Sequence, residues 1–191
     1  MTYILSDVHD AYKLYADDQF KEALEIFINI HEQSVNEKKD SAFIIQYIAI
    51  CYDFLGDPLK AALWINKAKS LDPYCLGFEN TADIIYENIS RLFTKASGNI
   101  KNSQEVYRLF DVLKKNGRVK SNCQFVMICF YMKEKKYKAA REMLDNALER
   151  NPLDSDFIKL RSIINLKEGN TSNLNCLLES EKNNLLPFQR F

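Results

Sequence analysis

The residues most able to do chemistry in this sequence are two histidines, five cysteines and a few adjacent acids. Catalysis needs a convergent set of such groups, because a nucleophile, a base and an orienting residue must lie within hydrogen-bonding reach. His9 falls in the N-terminal helical segment, and His31 falls near a helix end, where an imidazolium suits the dipole. The acid pair Asp17-Asp18 falls at a turn, where acids ordinarily cap helices. The sequence therefore predicts no catalytic residue and no enzymatic activity.

Metal, nucleotide and nucleophile motifs are also missing from the sequence. HExxH, CxxC, GxGxxG, GxxxxGK[ST] and GxSxG do not occur. The odd number of cysteines indicates reduced thiols that pack as small apolar residues. No metal site and no cofactor are predicted. The cysteines are Cys51, Cys75, Cys123, Cys129 and Cys176.

Composition narrows the class of protein. The 26 Lys and Arg balance 26 Asp and Glu, so no net field attracts nucleic acid or an anionic membrane. The 12 Phe and 10 Tyr recur at helical spacing rather than between arginines, which argues against nucleic-acid binding. The 5 Gly and 4 Pro fall mostly between periodic segments, as in an all-α protein with short turns.

Neither a secretion signal nor a membrane span is predicted. Residues Met1 to Asp10 lack a basic start and an apolar run. The most apolar window, Ala42 to Leu55, is too short to cross a bilayer and contains Gln46 and Asp53. We therefore expect a cytoplasmic protein that does not insert into membranes.

The central segment from Ser41 to Pro73 organises the rest of the chain. Its apolar residues have the spacing of two helices joined at Gly56-Asp57-Pro58, with small residues where the helices would cross. This segment resembles the tetratricopeptide repeat, a helix–turn–helix unit of roughly 34 residues. It lacks the Trp and Gly often found in the first helix of that repeat. The residues that carry the resemblance are Ile45, Ile48, Ala49, Tyr52, Gly56, Ala61, Ile65, Ala68 and Pro73.

The resemblance implies an all-α fold, a short right-handed α-solenoid of about five antiparallel helix pairs in a single domain. The units are expected at 4–37, 41–74, 76–118, 121–153 and 154–183, followed by a tail at 184–191. In the first unit a helix capped by Ser6 or Asp7 is expected to precede one over Phe20 to Ser34. The fourth unit is expected over Ser121 to Pro152, and the fifth as a pair of helices over Asp154 to Lys167 and Thr171 to Glu181.

The third and fourth units depart from the standard repeat at their turns. In the third, helices over Glu79 to Phe93 and Ser103 to Lys115 are expected to flank an enlarged loop over Thr94 to Asn102. Asn116-Gly117 is expected to end the second of these helices. In the fourth, Glu134-Lys135-Lys136 replaces a glycine turn, with a type I geometry expected.

The resemblance also implies where a partner would bind, because in that family the first helix of each pair lines a concave groove. The third unit is left unassigned. Carried over by position, the groove residues are Tyr12 and Tyr15, then Phe43, Gln46, Ile50 and Phe54, then Phe125, Cys129, Met132 and Lys133. Flanking positions are Val8, Asp53, Lys159, Ile163 and Lys167. The alternative is that neighbouring repeats or the tail bury these residues.

These residues predict a non-catalytic module that binds an apolar segment of a partner protein. Gln46 and Ile50 do not supply the carboxylate clamp with which some members of the family grip acidic C-termini. In groove chemistry the chain is similar to the tetratricopeptide-type secretion chaperones of bacteria, which guard translocator proteins. The alternative is a structural or regulatory adaptor subunit of a larger assembly. A homodimer is left open.

Overall fold

The chain is all-α, as predicted. The computed structural model describes residues 2–36 and 41–168. Within those ranges the structure contains helices and no β-strand. The expected helix over Thr171 to Glu181 and the tail at 184–191 lie outside the described residues. The helices are α1 (Thr2–Ala16), α2 (Phe20–Asn36), α3 (Ala42–Phe54), α4 (Pro58–Leu71), α5 (Leu76–Ser97), α6 (Ser103–Lys115), α7 (Ser121–Lys133), α8 (Tyr137–Arg150) and α9 (Ser155–Lys167).

Side-chain caps explain where several helices begin. The Ser41 hydroxyl accepts a hydrogen bond from the Ile44 amide at 3.5 Å before α3. The Asp57 carboxylate accepts one from the Lys60 amide at 3.1 Å, with Pro58 opening α4. Such caps satisfy amides that have no partner within the helix. The predicted start of the first helix is wrong, because α1 already begins at Thr2 rather than after Ser6 or Asp7.

The three turns that join α1 to α2, α3 to α4 and α7 to α8 share one geometry. Asp18, Gly56 and Lys135 have φ of 59°, 80° and 60°, in the left-handed region. In each turn the amide of the residue after the left-handed one donates a hydrogen bond to the carbonyl five residues before it. Of the two hydrogen bonds in a Schellman motif, this is the one that spans more residues. The type I turn expected around Lys135 is therefore wrong. The bonds run from Gln19 to Leu14 (2.9 Å), from Asp57 to Tyr52 (2.9 Å) and from Lys136 to Tyr131 (2.8 Å).

Helix α5 is longer than predicted at both ends. It begins at Leu76, which places Phe78 in the core, and it continues through Ser97. The enlarged loop is wrong, because only residues 98–102 separate α5 from α6, including a short 3-10 turn at Ile100–Asn102. The polar residues from which a loop was predicted instead form hydrogen bonds within α5. Thr94 donates to the Ser90 carbonyl at 3.0 Å, and Ser97 donates to the Thr94 carbonyl at 2.7 Å.

The chain divides into two compact units, Met1–Ile89 and Ser90–Phe191. In the first unit α1 packs on α2, α2 on α3 and α3 on α4; in the second, α7 packs on α8 and α8 on α9. The small residues expected at helix crossings are buried. The single domain stays a prediction. Fully buried alanines include Ala49, Ala61, Ala68 and Ala140.

Candidate functional site

A cleft of about 470 Å³ lies in the first unit, where α3 and α5 approach each other beside the end of α1. We call it the α3–α5 cleft. A volume of this size is within the usual range for a binding pocket, roughly 300–1,000 Å³. Its lining residues are Tyr15 from α1, Ile50, Asp53 and Phe54 from α3, and Thr81, Ile84, Ile85 and Asn88 from α5.

Three hydrogen bonds between α3 and α5 hold the walls of the cleft together. Gln46 donates to the Thr81 hydroxyl at 2.8 Å and to the Gly77 carbonyl at 3.1 Å. Asn88 donates to Oδ2 of Asp53 at 2.8 Å. Both side-chain pairs join residues 35 positions apart, so α3 and α5 run in the same direction at this contact. These two side-chain pairs are two helical turns apart on each helix, so the apolar residues between them keep a fixed spacing.

The floor and the rim of the cleft are apolar. Ile85 at the floor is 1% exposed, whereas Phe54 and Ile84 at the rim are 61% and 62% exposed. Phe54 is held in place by Phe20 of α2, because the two rings stack with centroids 4.3 Å apart. When a partner covers large apolar side chains that are as exposed as these, it removes their unfavourable contact with water.

Asp53 is the one charged residue among the described residues that line the cleft. Its Oδ2 accepts the hydrogen bond from Asn88, while its Oδ1 is buried and has no hydrogen-bond partner within the described residues. A buried carboxylate oxygen without a donor is unfavourable, because the oxygen has lost water and gained nothing in return. Asp53 therefore adds a charged group to a surface that otherwise consists of apolar and neutral side chains.

Tyrosines from α1 and α3 close one end of this region. The ring of Tyr47 meets Tyr12 edge-on at 4.6 Å and Tyr15 at 5.1 Å. Burial, and to a smaller extent Tyr47, raises the pKa of Tyr12 and of Tyr15 above the ordinary value. Both phenols therefore stay neutral at physiological pH and present no charge to a ligand.

The structure brings some of the predicted groove residues of the first unit together and leaves others apart. Tyr15, Ile50 and Phe54 line the cleft, as does the flanking residue Asp53. Tyr12 instead packs against Phe27 and Tyr47, and Gln46 joins α3 to α5. Phe43 is 57% exposed and lies edge-on to Phe78 at 5.4 Å.

The cleft residues of α5 were missing from the sequence prediction, because the third unit was left unassigned. Thr81, Ile84 and Asn88 follow the spacing i, i+3, i+7 and form one stripe on α5. That stripe lies beside the buried stripe that contains Ala82, Ile85 and Ile89. The sequence signal that could have identified this stripe is the apolar Ile84 on the same helix face as the polar Thr81 and Asn88.

In the second unit the predicted groove residues lie mostly against the core. Phe125, Cys129 and Met132 are partly buried against the cluster formed by α7, α8 and α9. The Phe125 ring is 6.3 Å from that of Phe157, and burial raises the pKa of the Cys129 thiol to about 11. Lys133 is exposed, with its Nζ 3.5 Å from the Ser97 carbonyl oxygen.

The two histidines have different surroundings. His9 is exposed on α1. His31 is buried, with its Nε2 2.8 Å from Nζ of Lys67 and its ring edge-on to Trp64 at 5.3 Å. Trp64 packs against the core of the first unit, as predicted.

Within residues 2–36 and 41–168, no group of three or more His, Cys, Asp or Glu could hold a metal ion. The cysteines described there are free thiols. No helix in those ranges is long and apolar enough to cross a membrane.

Comparisons with known proteins leave the family of this chain open. No protein-family model matches the chain, and no curated protein matches it significantly. Function is therefore inferred from the geometry of the α3–α5 cleft.

Proposed function

We propose that the protein is a non-catalytic binding module that holds an apolar segment of a partner protein in the α3–α5 cleft. The observation that carries this proposal is the apolar rim, where Phe54 and Ile84 stay exposed on helices whose spacing is fixed by hydrogen bonds. Rigid apolar anchors in a preformed pocket are the usual source of binding energy in protein recognition.

The tetratricopeptide-like arrangement belongs to the same proposal. It is supported by contacts that recur at nearly one repeat length. Gln46 with Thr81, and Asp53 with Asn88, are 35 residues apart, and His31 with Lys67 is 36 apart. A tandem array of helix pairs of roughly 34 residues produces contacts at such separations. In that arrangement α3 and α5 are first helices of successive units and line a concave groove.

The sharpest version is a cytoplasmic chaperone for a secreted or translocator protein. Such a protein covers an aggregation-prone stretch of its client until handover and needs no reactive group. The neutral phenols and buried thiols around the predicted groove fit this role.

Affinity capture from cells that express the protein tests the proposal with Ile84→Glu as the cleft variant. Leu63→Glu is the matched control, because Leu63 is 72% exposed on α4 and does not line the cleft. We expect Ile84→Glu to lose a partner that wild type and Leu63→Glu both retain, with helicity by circular dichroism unchanged in all three. A partner retained by Ile84→Glu would count against the cleft.

An adaptor subunit of a larger assembly is the second candidate. It is favoured by apolar side chains exposed outside the cleft, since Tyr74 is 92% and Leu76 is 79% exposed. Under this alternative Leu63→Glu releases the partner and Ile84→Glu does not. The purified wild-type chain would also self-associate in sedimentation velocity, because a permanent interface would be left uncovered.

A further inference from the structure

We propose that the segment bound in the α3–α5 cleft carries a lysine or arginine next to its apolar side chains, and that this cation pairs with Asp53. This inference rests on the proposed function and specifies the chemistry of its partner.

Charge complementarity is the first reason. Asp53 carries the one formal charge among the described residues that line the cleft, and the other lining residues are apolar or neutral. A partner that covers the cleft removes the remaining water around this carboxylate. A buried carboxylate without a cation is strongly unfavourable, whereas one that is paired and hydrogen-bonded is tolerated.

The hydrogen bonding of Asp53 is the second reason. Asn88 occupies Oδ2 at 2.8 Å, and Oδ1 lacks a hydrogen-bond donor among the described residues. Rotation about the last side-chain torsion of an aspartate is soft, so either oxygen can turn toward the cleft. One charge-assisted bond from a ligand would satisfy the carboxylate while the bond from Asn88 keeps it in place.

The shape of the cleft suits a long cationic side chain. The methylene stem of a lysine or arginine packs on apolar surface while its head reaches a polar group. Phe54 and Ile84 at the rim offer such a surface beside Asp53. An acidic segment would be repelled, and a wholly apolar one would bury the carboxylate unpaired. A single carboxylate with neutral neighbours is too few ligands for a calcium ion.

A selection experiment tests this inference with the full chain as bait and a phage-displayed library of random linear peptides as probe. The baits are wild type, Asp53→Asn, Ile84→Glu and Asp83→Asn. Asp53→Asn keeps an oxygen that can accept from Asn88. Asp83→Asn is the matched control, because it removes one negative charge from an exposed position of α5 that does not line the cleft. Circular dichroism checks that the four baits have the same helicity.

We expect wild type and Asp83→Asn to enrich peptides with a basic residue within one helical turn of large apolar residues. Asp53→Asn should enrich apolar peptides without the basic residue. In fluorescence anisotropy, a synthetic peptide with the consensus sequence selected by wild type should bind Asp53→Asn about tenfold more weakly than wild type. Added NaCl should weaken its binding to wild type more than its binding to Asp53→Asn.

Two results would overturn the inference in distinguishable ways. Apolar or acidic peptides without basic enrichment, bound by wild type but not by Ile84→Glu, would refute the role of Asp53 and leave the proposed function standing. Peptides bound equally by wild type and Ile84→Glu, or no enriched peptide, would refute both.

Discussion

At the scale of single residues, the polar side chains of α3 have two different roles. Gln46 places both of its described hydrogen bonds on α5 and so contributes to packing. Asp53 accepts from Asn88 with one oxygen and leaves the other without a donor among the described residues. The first residue therefore joins the walls of the cleft, and the second is the one that we propose pairs with a cation of the partner.

Replacing Gln46 by alanine tests its packing role. We expect Gln46→Ala to lower the free energy of unfolding by about 1–2 kcal/mol, because two interhelical hydrogen bonds are lost. Urea unfolding followed by circular dichroism measures the change. Gln104→Ala on the exposed surface of α6 is the control and should change the stability by less than about 0.5 kcal/mol. Equal stabilities of the two variants would show that Gln46 does not hold α5.

The buried thiols give a second prediction at this scale. Burial raises the pKa of Cys51 and of Cys129 to about 11, although Lys133 partly lowers that of Cys129. Since the thiolate is the reactive form, both should be alkylated slowly by iodoacetamide at pH 8 and faster as the pH approaches 11. The ordinary pKa is 9.0, so the stability contributed by the neutral thiols is present below about pH 9 and is lost toward pH 11.

Peptide mass spectrometry measures the labelling of each cysteine. The same protein unfolded in urea is the control, because its thiols have ordinary pKa values. Labelling of the folded protein at the rate of the unfolded one at pH 8 would contradict the burial of these thiols.

At the scale of elements, the helix pairs depend on one left-handed residue in each turn. Gly56 adopts φ of 80° without strain, whereas Asp18 and Lys135 adopt about the same conformation at an energetic cost. The turn is needed because each Schellman motif satisfies carbonyls at the end of the first helix and starts the second in the opposite direction.

Two substitutions test this strain. Gly56→Ala should lower the free energy of unfolding by about 1 kcal/mol through backbone strain alone, since an added Cβ meets nothing within 4 Å. Lys135→Gly should raise it by about 0.5 kcal/mol, because the relief of strain is partly offset by the greater freedom of glycine in the unfolded chain.

Gly77→Ala is the control for this series. Gly77 lies in α5 without a positive φ, and an added Cβ would make an ordinary contact at 3.7 Å with Sγ of Cys75. Alanine should therefore be neutral or stabilising there. Urea unfolding of the three variants measures the effects, and a destabilisation by Lys135→Gly would contradict the strain argument.

The ends of the helices also show how much of the secondary structure could be predicted from the sequence. The turns between α3 and α4 and between α7 and α8 lie where they were predicted, because apolar periodicity and turn residues coincide there. α5 was predicted too short, because Thr94 and Ser97 belong to a residue class that favours loops. Their hydroxyls instead bond to carbonyls of the preceding turn, and Ser97 is buried. Composition alone does not distinguish these two uses of a hydroxyl.

At the scale of the whole molecule, net charge provides no information about the partner, because cations and anions balance. The candidate site depends instead on local arrangement. Tyr15, Ile50 and Phe54 could be predicted from the sequence, since each follows from the phase of α1 or α3. Ile84 and Asn88 could not, because their place depends on the register of α5 against α3. That register is set by side-chain bonds between residues 35 positions apart.

The central claim is that an apolar segment of a partner lies in the α3–α5 cleft. Site-specific photocrosslinking tests it most directly. A benzophenone amino acid is placed at Ile84 or, as the control, at Leu63, and cells that express the protein are irradiated. The account predicts a crosslink from position 84 to one apolar stretch of a partner, mapped by mass spectrometry, and none from position 63. A partner crosslinked from position 63 but not from position 84 would contradict it.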